Sequence, residues 1–325
     1  MKAILVKKSG GPEVLAYTDI DDPQPAADQV LIRVHTVGVN FADVKARIGA
    51  YHIKRTLPFI PGLDVAGTIE TVGPEVKALK VGQRVAAFPQ DGAYCELALA
   101  REVLTFPIPD AISDEAAAAF PIVAGTAYAM LSCIANLQTG EGVLLHSAAG
   151  GVGTTALQIA KQLGARPIIA TVGSDAKKPL LAELSADAVV NYHTESHVEK
   201  TLALTDGRGV DVILNPLGGE MLERDLECLA PFGRLICFGH ASGQPASIPT
   251  NELHGSCRSV LGFSFGTLRR MRPQEVSGIM KAVIPLLAED KIRMIIGKQF
   301  PLAEAAEAHR FLESRSSTGK ILLKV

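Results

Sequence analysis

The sequence predicts an α/β protein in which a β-rich module is combined with a doubly wound parallel sheet. Residues 1–115 contain short strand-like runs separated by Gly and Pro, which is typical of a sandwich or barrel-like module. From about residue 140, continuous apolar runs alternate with helical segments, as expected for parallel strands covered on both faces. After about residue 258 the remaining elements are too few to fold alone, so we expect this tail to complete the first module.

The predicted elements follow from hydrophobic spacing and from the turn residues between them. The first module has strand-like runs at 3–6, 30–37, 65–72, 84–88 and 94–99. The second has apolar runs at 143–146, 167–172, 188–192, 210–215 and 234–239, with helical segments at 152–163, 176–184, 195–204 and 219–229. The tail has strands at 260–265, 294–300 and 320–325 and helices at 274–289 and 303–314.

The composition is that of a globular protein and argues against a nucleic-acid partner. The chain has 325 residues, is 47% hydrophobic and 20% charged, and has a net charge of -2, whereas nucleic-acid binders usually carry a basic excess. Its five Cys form no CxxC pair, and the apolar patch at 3–6 is too short for a signal peptide, so we expect a cytoplasmic protein with reduced thiols. Residues 116–137 are uncharged and long enough to cross a bilayer, but Pro121, Gly125 and Asn136 interrupt them, which favours a buried helix and no membrane partner.

A Gly-rich turn follows the first apolar run of the second module. In HSAAGGVG, residues 146–153, Gly150 and Gly153 take the second and third positions of a GxGxxG pattern, while Ala148 stands at the first. A strand, such a turn and then a helix place free backbone amides and the helix dipole against an anion. We therefore predict a diphosphate site at Gly150, Gly151, Val152 and Gly153; the alternative is a plain βα turn whose glycines serve packing.

The next strand indicates which dinucleotide binds. An NAD site usually has an acidic residue at the end of the second strand, about 20 residues on. Here the strand ends in Gly173 and Ser174, and Lys177 and Lys178 follow at once. A hydroxyl and two ammonium groups suit a 2′-phosphate, so we predict NADPH; the alternative is that the lysines are solvated.

Several stretches together resemble the zinc-independent quinone oxidoreductase branch, that of zeta-crystallin, of the medium-chain dehydrogenase/reductase family. They are GVNFADVKAR (38–47), PFIPGLDVAGTIETVG (58–73), HSAAGGVG (146–153), SADAVVNY (185–192), FGRLICFG (232–239) and LESRSSTGKILLKV (312–325). The resemblance implies a GroES-like catalytic domain at 1–122 and 262–325 and a Rossmann dinucleotide-binding domain at 123–261, with the cofactor between them. It also implies a homodimer formed near 260–265.

The same resemblance implies the site residues. Asn40, Asp43 and Tyr51 would line the pocket near the nicotinamide, with Asn40 donating to a substrate carbonyl and Tyr51 to an oxygen that gains charge. The alternatives are turn and cap chemistry for Asn40 and Asp43, and a surface position for Tyr51. For the cofactor the resemblance adds six further residues: Thr126, Tyr192, Phe238, Gly239, Phe263 and Lys320.

The residues argue against a catalytic zinc ion. Zinc-dependent relatives have a His–Glu pair where this chain has Leu63 and Asp64, and no Cys precedes Cys95, so the three or four ligands that zinc needs are absent. We expect an NADPH-dependent reductase of quinones or α,β-unsaturated carbonyl compounds. The alternatives are a reductase of enoyl thioesters or alkenals, a catalytically weak NADPH-binding protein, and a zinc alcohol dehydrogenase. His52, Lys54 and Arg55 make a basic rim that either attracts an anionic substrate or is simply solvated.

Overall fold

The structure is a computed structural model that describes all residues from 1 to 325, and it divides into two compact units. The first unit contains Met1–Gly125 and Gly266–Val325, and the second contains Thr126–Phe265. Both boundaries lie three or four residues beyond the predicted ones. The first is later because a single helix runs without a break through residues 122–125, and the second because the edge strand of the parallel sheet extends to Gly262.

Fifteen strands and ten helices make up the two units. The strands are β1 (Lys2–Val6), β2 (Leu15–Asp19), β3 (Gln29–Val39), β4 (Asp64–Val72), β5 (Arg84–Ala87), β6 (Leu97–Arg101), β7 (Thr105–Pro107), β8 (Val143–Leu145), β9 (Ile168–Val172), β10 (Ala188–Asn191), β11 (Val210–Asn215), β12 (Leu229–Cys237), β13 (Ser259–Gly262), β14 (Ile296–Pro301) and β15 (Lys320–Lys324). The helices are α1 (Phe41–Arg47), α2 (Asp114–Tyr128), α3 (Gly151–Gln162), α4 (Lys178–Glu183), α5 (His197–Leu204), α6 (Gly219–Asp225), α7 (Thr250–Ser256), α8 (Phe265–Met271), α9 (Pro273–Ala288) and α10 (Ala305–Glu313).

The first unit is built on a seven-stranded, mostly antiparallel sheet and a separate β1–β2 hairpin. The strand order is β14-β15-β3-β4-β5-β7, and β6 also pairs with β3. Strand β15 pairs antiparallel with β3, from Ile321 opposite Val39 to Lys324 opposite Thr36. The carboxyl-terminal tail therefore completes the first sheet, as the sequence predicted, and it brings residues about 280 positions apart into adjacent strands.

The second unit is a six-stranded parallel sheet in the order β10-β9-β8-β11-β12-β13. Its strand residues Leu144, Ile169, Val190 and Ile213 are fully buried, because helices cover both faces of a parallel sheet. The order reverses beside β8, and at such a switch point ligands bind at the carboxyl ends of the strands. The Gly-rich turn follows β8 and therefore lies at this edge.

Many elements differ from their predicted bounds by a few residues, and three of them have a clear structural reason. The run 94–99 starts later, at Leu97, because Cys95 forms an isolated bridge with Ala3 in β1. The run 260–265 is a strand only to Gly262, and Phe265 already begins α8. The apolar segment near 116–137 forms α2 and a π-helical turn, Ala129–Ile134. By length and composition Asp114–Ile134 could span a membrane, but 72% of its apolar window is buried inside the protein, as in the core helix of a globular fold.

Candidate active site

Asn40 is the centre of a buried polar network in the first unit. It precedes α1, and its backbone N–H donates to Asp43 Oδ2 at 2.8 Å, which satisfies one of the free donors at the helix start. Its side-chain Nδ2 donates to Asp64 Oδ1 at 2.7 Å and to the Gly38 carbonyl at 3.2 Å, and its Oδ1 accepts from Lys320 Nζ at 2.5 Å. Both amide protons are therefore used within the protein. In this structure Asn40 therefore organises the network, and its predicted donation to a substrate carbonyl or to cofactor hydroxyls stays a prediction.

Asp64 and Lys320 form a buried ion pair beside this amide. Their side chains are 0% and 2% exposed, with Lys320 Nζ 3.3 Å from Asp64 Oδ2. Burial raises the pKa of Asp64, and the Lys320 charge opposes that shift. Asp64 Oδ2 also accepts the backbone N–H of Ile122 at 3.2 Å. The resemblance suggested that Lys320 binds the cofactor, but its ammonium group is directed at Asn40 and Asp64, so in this structure it is a positioning residue.

Gly38 makes room for the ion pair. It lies on β3 directly opposite Asp64 on β4. A Cβ at this position would lie 2.6 Å from Asp64 Oδ1 and 2.8 Å from Lys320 Cε, both closer than real Cβ contacts. Any larger residue at position 38 would therefore push the two charged groups away from Asn40.

A second part of the network runs from Asp43 to Arg47. The Tyr94 hydroxyl donates to Asp43 Oδ2 at 3.1 Å and lies 3.0 Å from His309 Nε2, while Arg47 NH1 lies 3.1 Å from His309 Nδ1. Because an arginine only donates, His309 Nδ1 must accept and Nε2–H must donate to the Tyr94 oxygen. Every donor in this chain of hydrogen bonds therefore points toward Asp43. Arg47 also pairs with Glu313 at 2.7 Å.

Three groups in this chain of hydrogen bonds have strongly shifted pKa values, and burial raises that of Tyr94 well above its usual range. Burial raises the pKa of Asp43 to about 7, against the hydrogen bond from the Asn40 backbone and the charge of Lys320. Burial and the Arg47 charge lower the pKa of His309 to about 3, so His309 is neutral at physiological pH. A buried carboxyl group that titrates near neutrality can exchange a proton during a reaction.

Tyr51 lies on the wall of a cavity in the first unit. The cavity has an open volume of roughly 310 Å³, counting space shared with solvent, and Tyr51, Ile53, Lys54 and Arg55 are among its lining residues. A Cβ on Gly266, in α8, would lie 2.6 Å from the Tyr51 hydroxyl oxygen, so that helix packs closely on the ring. Burial raises the pKa of Tyr51. Tyr51 is therefore a half-buried pocket residue and not simply a surface tyrosine.

In the second unit, the Gly-rich turn leaves the start of α3 without a side-chain cap. The N-cap residue is Gly150, and a Cβ there would meet only the Ser147 carbonyl oxygen, at 3.5 Å. A Cβ on Gly153 would lie 2.4 Å from Ala148 Cα, so Gly153 permits close packing of helix and strand. Ser147, with φ of 52°, provides the left-handed turn that a glycine often supplies. The first-turn amides of Gly151, Val152 and Gly153 are available to an anion, because an α-helix gives them no internal acceptor.

The predicted 2′-phosphate residues lie at the ends of β9 and β10. Ser174 is exposed directly after β9, and Lys177 is half-buried, which lowers its pKa. Tyr192 follows β10, and its hydroxyl oxygen would lie 2.5 Å from a Cβ on Gly173. Lys178 is different, since its Nζ pairs with Glu195 at 2.7 Å and with Asp175 at 3.0 Å. Its charge therefore has two acidic partners within the chain, and its predicted contact with the phosphate stays a prediction.

The remaining predicted cofactor residues are in the second unit. Phe238 and Gly239 follow β12, and a Cβ on Gly239 would lie 2.5 Å from the Pro216 carbonyl oxygen. Phe263 follows β13 and donates its backbone N–H to the backbone carbonyl oxygen of Cys237 at 2.8 Å. Thr126 is buried in α2. Phe238, Gly239 and Phe263 are thus at the carboxyl edge of the sheet, where the switch point places ligands.

The sequence did not predict a buried triad of His146, Asp225 and Asn215 in the second unit. His146 Nε2 lies 2.7 Å from Asp225 Oδ1, Asn215 Nδ2 donates to Asp225 Oδ2 at 2.7 Å, and Thr171 Oγ1 lies 3.0 Å from His146 Nδ1. Burial acts to raise the pKa of Asp225, but the interaction with His146 outweighs it and the pKa lies below its usual value. Asn215 Oδ1 accepts the amides of Leu217 and Gly218, so the triad fixes the loop after β11.

His146 and Asp225 also belong to the one group of three His, Cys, Asp or Glu side chains arranged closely enough to hold a metal. His146, His197 and Asp225 have ligand atoms within 4.8 Å of one another and are all buried. Tetrahedral zinc ligands at about 2.0–2.1 Å from the ion lie roughly 3.3 Å apart. The 2.7 Å separation of His146 and Asp225 is that of a hydrogen bond. His197 Nε2, 3.2 Å from Asp225 Oδ1, has no hydrogen-bond partner.

No local motif reveals the missed residues. Asp43 and Tyr94 are 51 positions apart, and Tyr94 and His309 are 215 positions apart. The one available signal is residue type. His309 lies on an otherwise apolar face of α10 and Arg47 ends α1, and such residues are rarely buried without a partner.

Comparison with known proteins identifies the family. Residues 26–110 match the family described as alcohol dehydrogenase GroES-like domain, and residues 151–284 match the family described as zinc-binding dehydrogenase. Quinone oxidoreductase of Mus musculus is 36% identical over 328 residues, covering 99% of this chain and 97% of that protein. Quinone oxidoreductase of Pseudomonas aeruginosa is 37% identical over 328 residues, covering 99% of both.

A solved structure agrees over the same length. Escherichia coli quinone oxidoreductase complexed with NADPH matches with a TM-score of 0.93 and 32% identity, covering 100% of both chains. The likeness is therefore not confined to the parallel sheet but extends over both units. The chain belongs to the quinone oxidoreductase family of medium-chain dehydrogenases/reductases.

Proposed function

We propose that this chain is an NADPH-dependent reductase that transfers hydride to a quinone or an α,β-unsaturated carbonyl compound without a zinc ion. The observation that carries the proposal is the uncapped start of α3 at the switch point of the parallel sheet. The relatives named quinone oxidoreductase, and the NADPH in the Escherichia coli structure, support the same function.

The residues present fit NADPH. The amides of Gly151, Val152 and Gly153 would bind the diphosphate, because they lack internal acceptors and head a helix dipole. Ser174, Lys177 and Tyr192 would surround the 2′-phosphate, where a cation and hydroxyl groups stand in place of the carboxylate of an NAD site. When bound, the cofactor supplies a hydride, and its oxidation to NADP⁺ balances the two electrons gained by the acceptor.

In the first unit, Tyr51 would act on the acceptor oxygen. Hydride addition to an enone carbon or to a quinone puts negative charge on that oxygen, and the Tyr51 hydroxyl in the cavity can donate to it. A proton from water or from Tyr51 completes the reduction. Asn40 and Asp43 fix the local backbone before α1, since the Asn40 amide and the Asp43 carboxylate bond to each other.

The charge arrangement supports a reaction without zinc. Lys320 holds a buried positive charge against Asn40 and Asp64, near the position where zinc-dependent relatives have ligands. A second cation there would be repelled by the ammonium group at short range in a poorly solvated site. Leu63 supplies no ligand atom.

The test is a coupled assay of binding and turnover. Calorimetry measures NADPH and NADH binding, and absorbance at 340 nm follows NADPH oxidation with 9,10-phenanthrenequinone and with 4-phenyl-3-buten-2-one. We expect oxidation with at least one acceptor, tighter binding of NADPH, and no effect of a zinc chelator. Protein that binds NADPH but oxidises it with neither acceptor would refute the reductase function. A preference for NADH would refute the assignment of the 2′-phosphate, and zinc-restored activity after chelation would refute zinc independence.

The proposal includes a cytoplasmic homodimer. None of the five Cys forms a disulfide, and Cys133 and Cys257 are exposed, which suits a reducing compartment. Strand β13 is the outer strand of the parallel sheet, and an unpaired strand edge can pair with a second copy. Sedimentation analysis that gives only a monomer of 34.3 kDa at micromolar concentration would contradict the dimer.

A further inference from the structure

Two arginines beside Tyr51 have no carboxylate partner. Arg269, in α8, donates NH1 to the Leu63 carbonyl at 3.0 Å, and its guanidinium carbon lies 5.3 Å from the centre of the Phe88 ring. Arg55 lines the cavity and makes no hydrogen bond or ion pair. Both side chains are half-buried.

Two other arginines of this protein that are shielded from solvent have glutamate partners. Arg47 pairs with Glu313 at 2.7 Å, and Arg234 pairs with Glu141 at 2.6 Å. A guanidinium group stays charged in a protein, and removing it from water without an anion is costly. An anion supplied from outside the chain would compensate the charge of Arg269.

The nearby acidic residues do not fill this role. Asp43 and Asp64 act on Arg269 only through longer-range attraction, and their oxygens already accept hydrogen bonds within the buried network. Burial lowers the pKa of Arg269, and the charge of Arg55 lowers it further, so the two cations act on one another. Arg55 and Arg269 also both act on the Tyr51 hydroxyl.

The cavity walls have the chemistry of a site for an organic anion. Leu57 and Phe59 are apolar lining residues, and no Asp or Glu lines the cavity. Lys54 adds a third cation, whose Nζ contacts only the Gly49 carbonyl oxygen, at 3.0 Å. Apolar walls would hold a ring or an alkyl chain, while the cations would hold its charged end.

We propose that the acceptor reduced by this protein carries a carboxylate group, held by Arg269 and Arg55, beside a reducible bond whose oxygen faces Tyr51. This inference rests on the proposed reductase function and names its substrate class. A guanidinium group offers two parallel N–H donors that match a carboxylate, and such charge-assisted bonds are stronger than bonds between neutral groups. The carboxylate takes no part in the electron transfer and serves to orient the acceptor.

The experiment compares two acceptors that share the same reducible enone and differ by one para-carboxylate group. They are 4-phenyl-3-buten-2-one and its para-carboxylate, 4-(3-oxobut-1-enyl)benzoate, each assayed with NADPH at low salt and at about 0.5 M KCl. We expect kcat/KM for the carboxylate to exceed that for the neutral enone by about tenfold or more at low salt, with the advantage reduced by salt.

Substitutions of the two arginines test whether they cause the preference for the carboxylate-bearing enone. Arg55→Met and Arg269→Met should each reduce the carboxylate preference by about tenfold while changing kcat/KM for the neutral enone much less. Arg269→Lys keeps the charge and should retain part of the preference. Arg270→Met, at the exposed neighbour on α8, is the matched control and should leave both values unchanged. Arg55 has no intramolecular partner, so its variant tests the proposal even if Arg269→Met fails to fold.

The outcomes separate the two proposals. Equal kcat/KM for the two enones, or a carboxylate preference that survives both arginine substitutions, would overturn the carboxylate site while leaving the reductase function intact. If neither enone nor the quinone is reduced, the reductase function fails, and saturation-transfer NMR then decides whether benzoate still binds in a manner that depends on Arg55. Benzoate binding to the wild-type protein that is lost in Arg55→Met would support the anion site. If benzoate does not bind to the wild-type protein, the anion site is overturned.

Discussion

Asp43→Asn should change how the free energy of unfolding depends on pH. The substitution keeps the shape of the side chain and one oxygen for the Asn40 backbone and the Tyr94 hydroxyl, but removes the titrating proton. Burial raises the pKa of Asp43 from 3.8 to about 7. Between these values the folded protein binds a proton that the unfolded chain has released, so Asp43 favours the folded state at low pH and loses this contribution as pH rises through 7.

The size of this change in the free energy of unfolding follows from the pKa values of Asp43 in the unfolded and folded states. One pKa unit corresponds to about 1.4 kcal/mol, and integration from pH 5 to pH 8 gives a loss of roughly 2 to 3 kcal/mol in the wild-type protein from this residue alone. Urea unfolding of the wild-type protein and Asp43→Asn at pH 5 and pH 8 measures the difference. Asp21→Asn, at an exposed aspartate, is the matched control.

We expect Asp43→Asn to lack this loss of unfolding free energy between pH 5 and pH 8, while the control Asp21→Asn keeps it. Because the difference between the proteins is taken at each pH, other titrating groups cancel to first order. Parallel stability curves for the wild-type protein and Asp43→Asn would refute the assignment of a near-neutral pKa to the buried carboxyl group.

Four other substitutions test the two units. His309→Gln should reduce acid sensitivity, because a folded-state pKa of about 3 makes the wild-type His309 destabilising as pH falls below 6.5, by about 2 kcal/mol between pH 7 and 5; an unchanged difference in urea midpoint between those pH values would contradict this. Gly38→Ala should lower stability by about 2 kcal/mol or more, since the added Cβ meets Asp64 Oδ1 at 2.6 Å; thermal unfolding within 1 °C of the wild-type protein would show that the ion pair tolerates the methyl group. Lys177→Met should weaken NADPH binding about tenfold and NADH binding little, whereas Lys178→Met should have a smaller effect because its charge is already paired; calorimetry showing the reverse order would reassign the phosphate site.

The architecture of the parallel sheet could be predicted from the sequence because its signal is local. Strands such as Val210–Asn215 are continuous apolar runs, and a parallel strand buried on both faces requires such a run. The turn at Gly150 and Gly153 could be predicted for the same reason, since strand, turn and helix are adjacent in the chain.

The partners of the site residues could not be predicted in the same way. The family resemblance predicted Asn40 as a pocket residue, with helix capping as the alternative. The structure places it before α1, with its amide bonded to Asp64 and Lys320, which no local pattern indicates. Lys177 and Lys178 are identical in type and adjacent in sequence. Only folding places Glu195, 17 positions away, beside Lys178.

The sequence by itself determined the α/β class, the order of the main strands along the chain and the Gly-rich turn before α3, because each depends on spacing within about 20 residues. Only the tertiary structure decided which charges are compensated. Pairing of β15 with β3 brings Lys320 to Asn40 across 280 positions, and the folding of α8 near Tyr51 leaves Arg269 without a carboxylate. The physical reason is that burial and Coulomb energy depend on distance in space, which the order of residues along the chain does not specify.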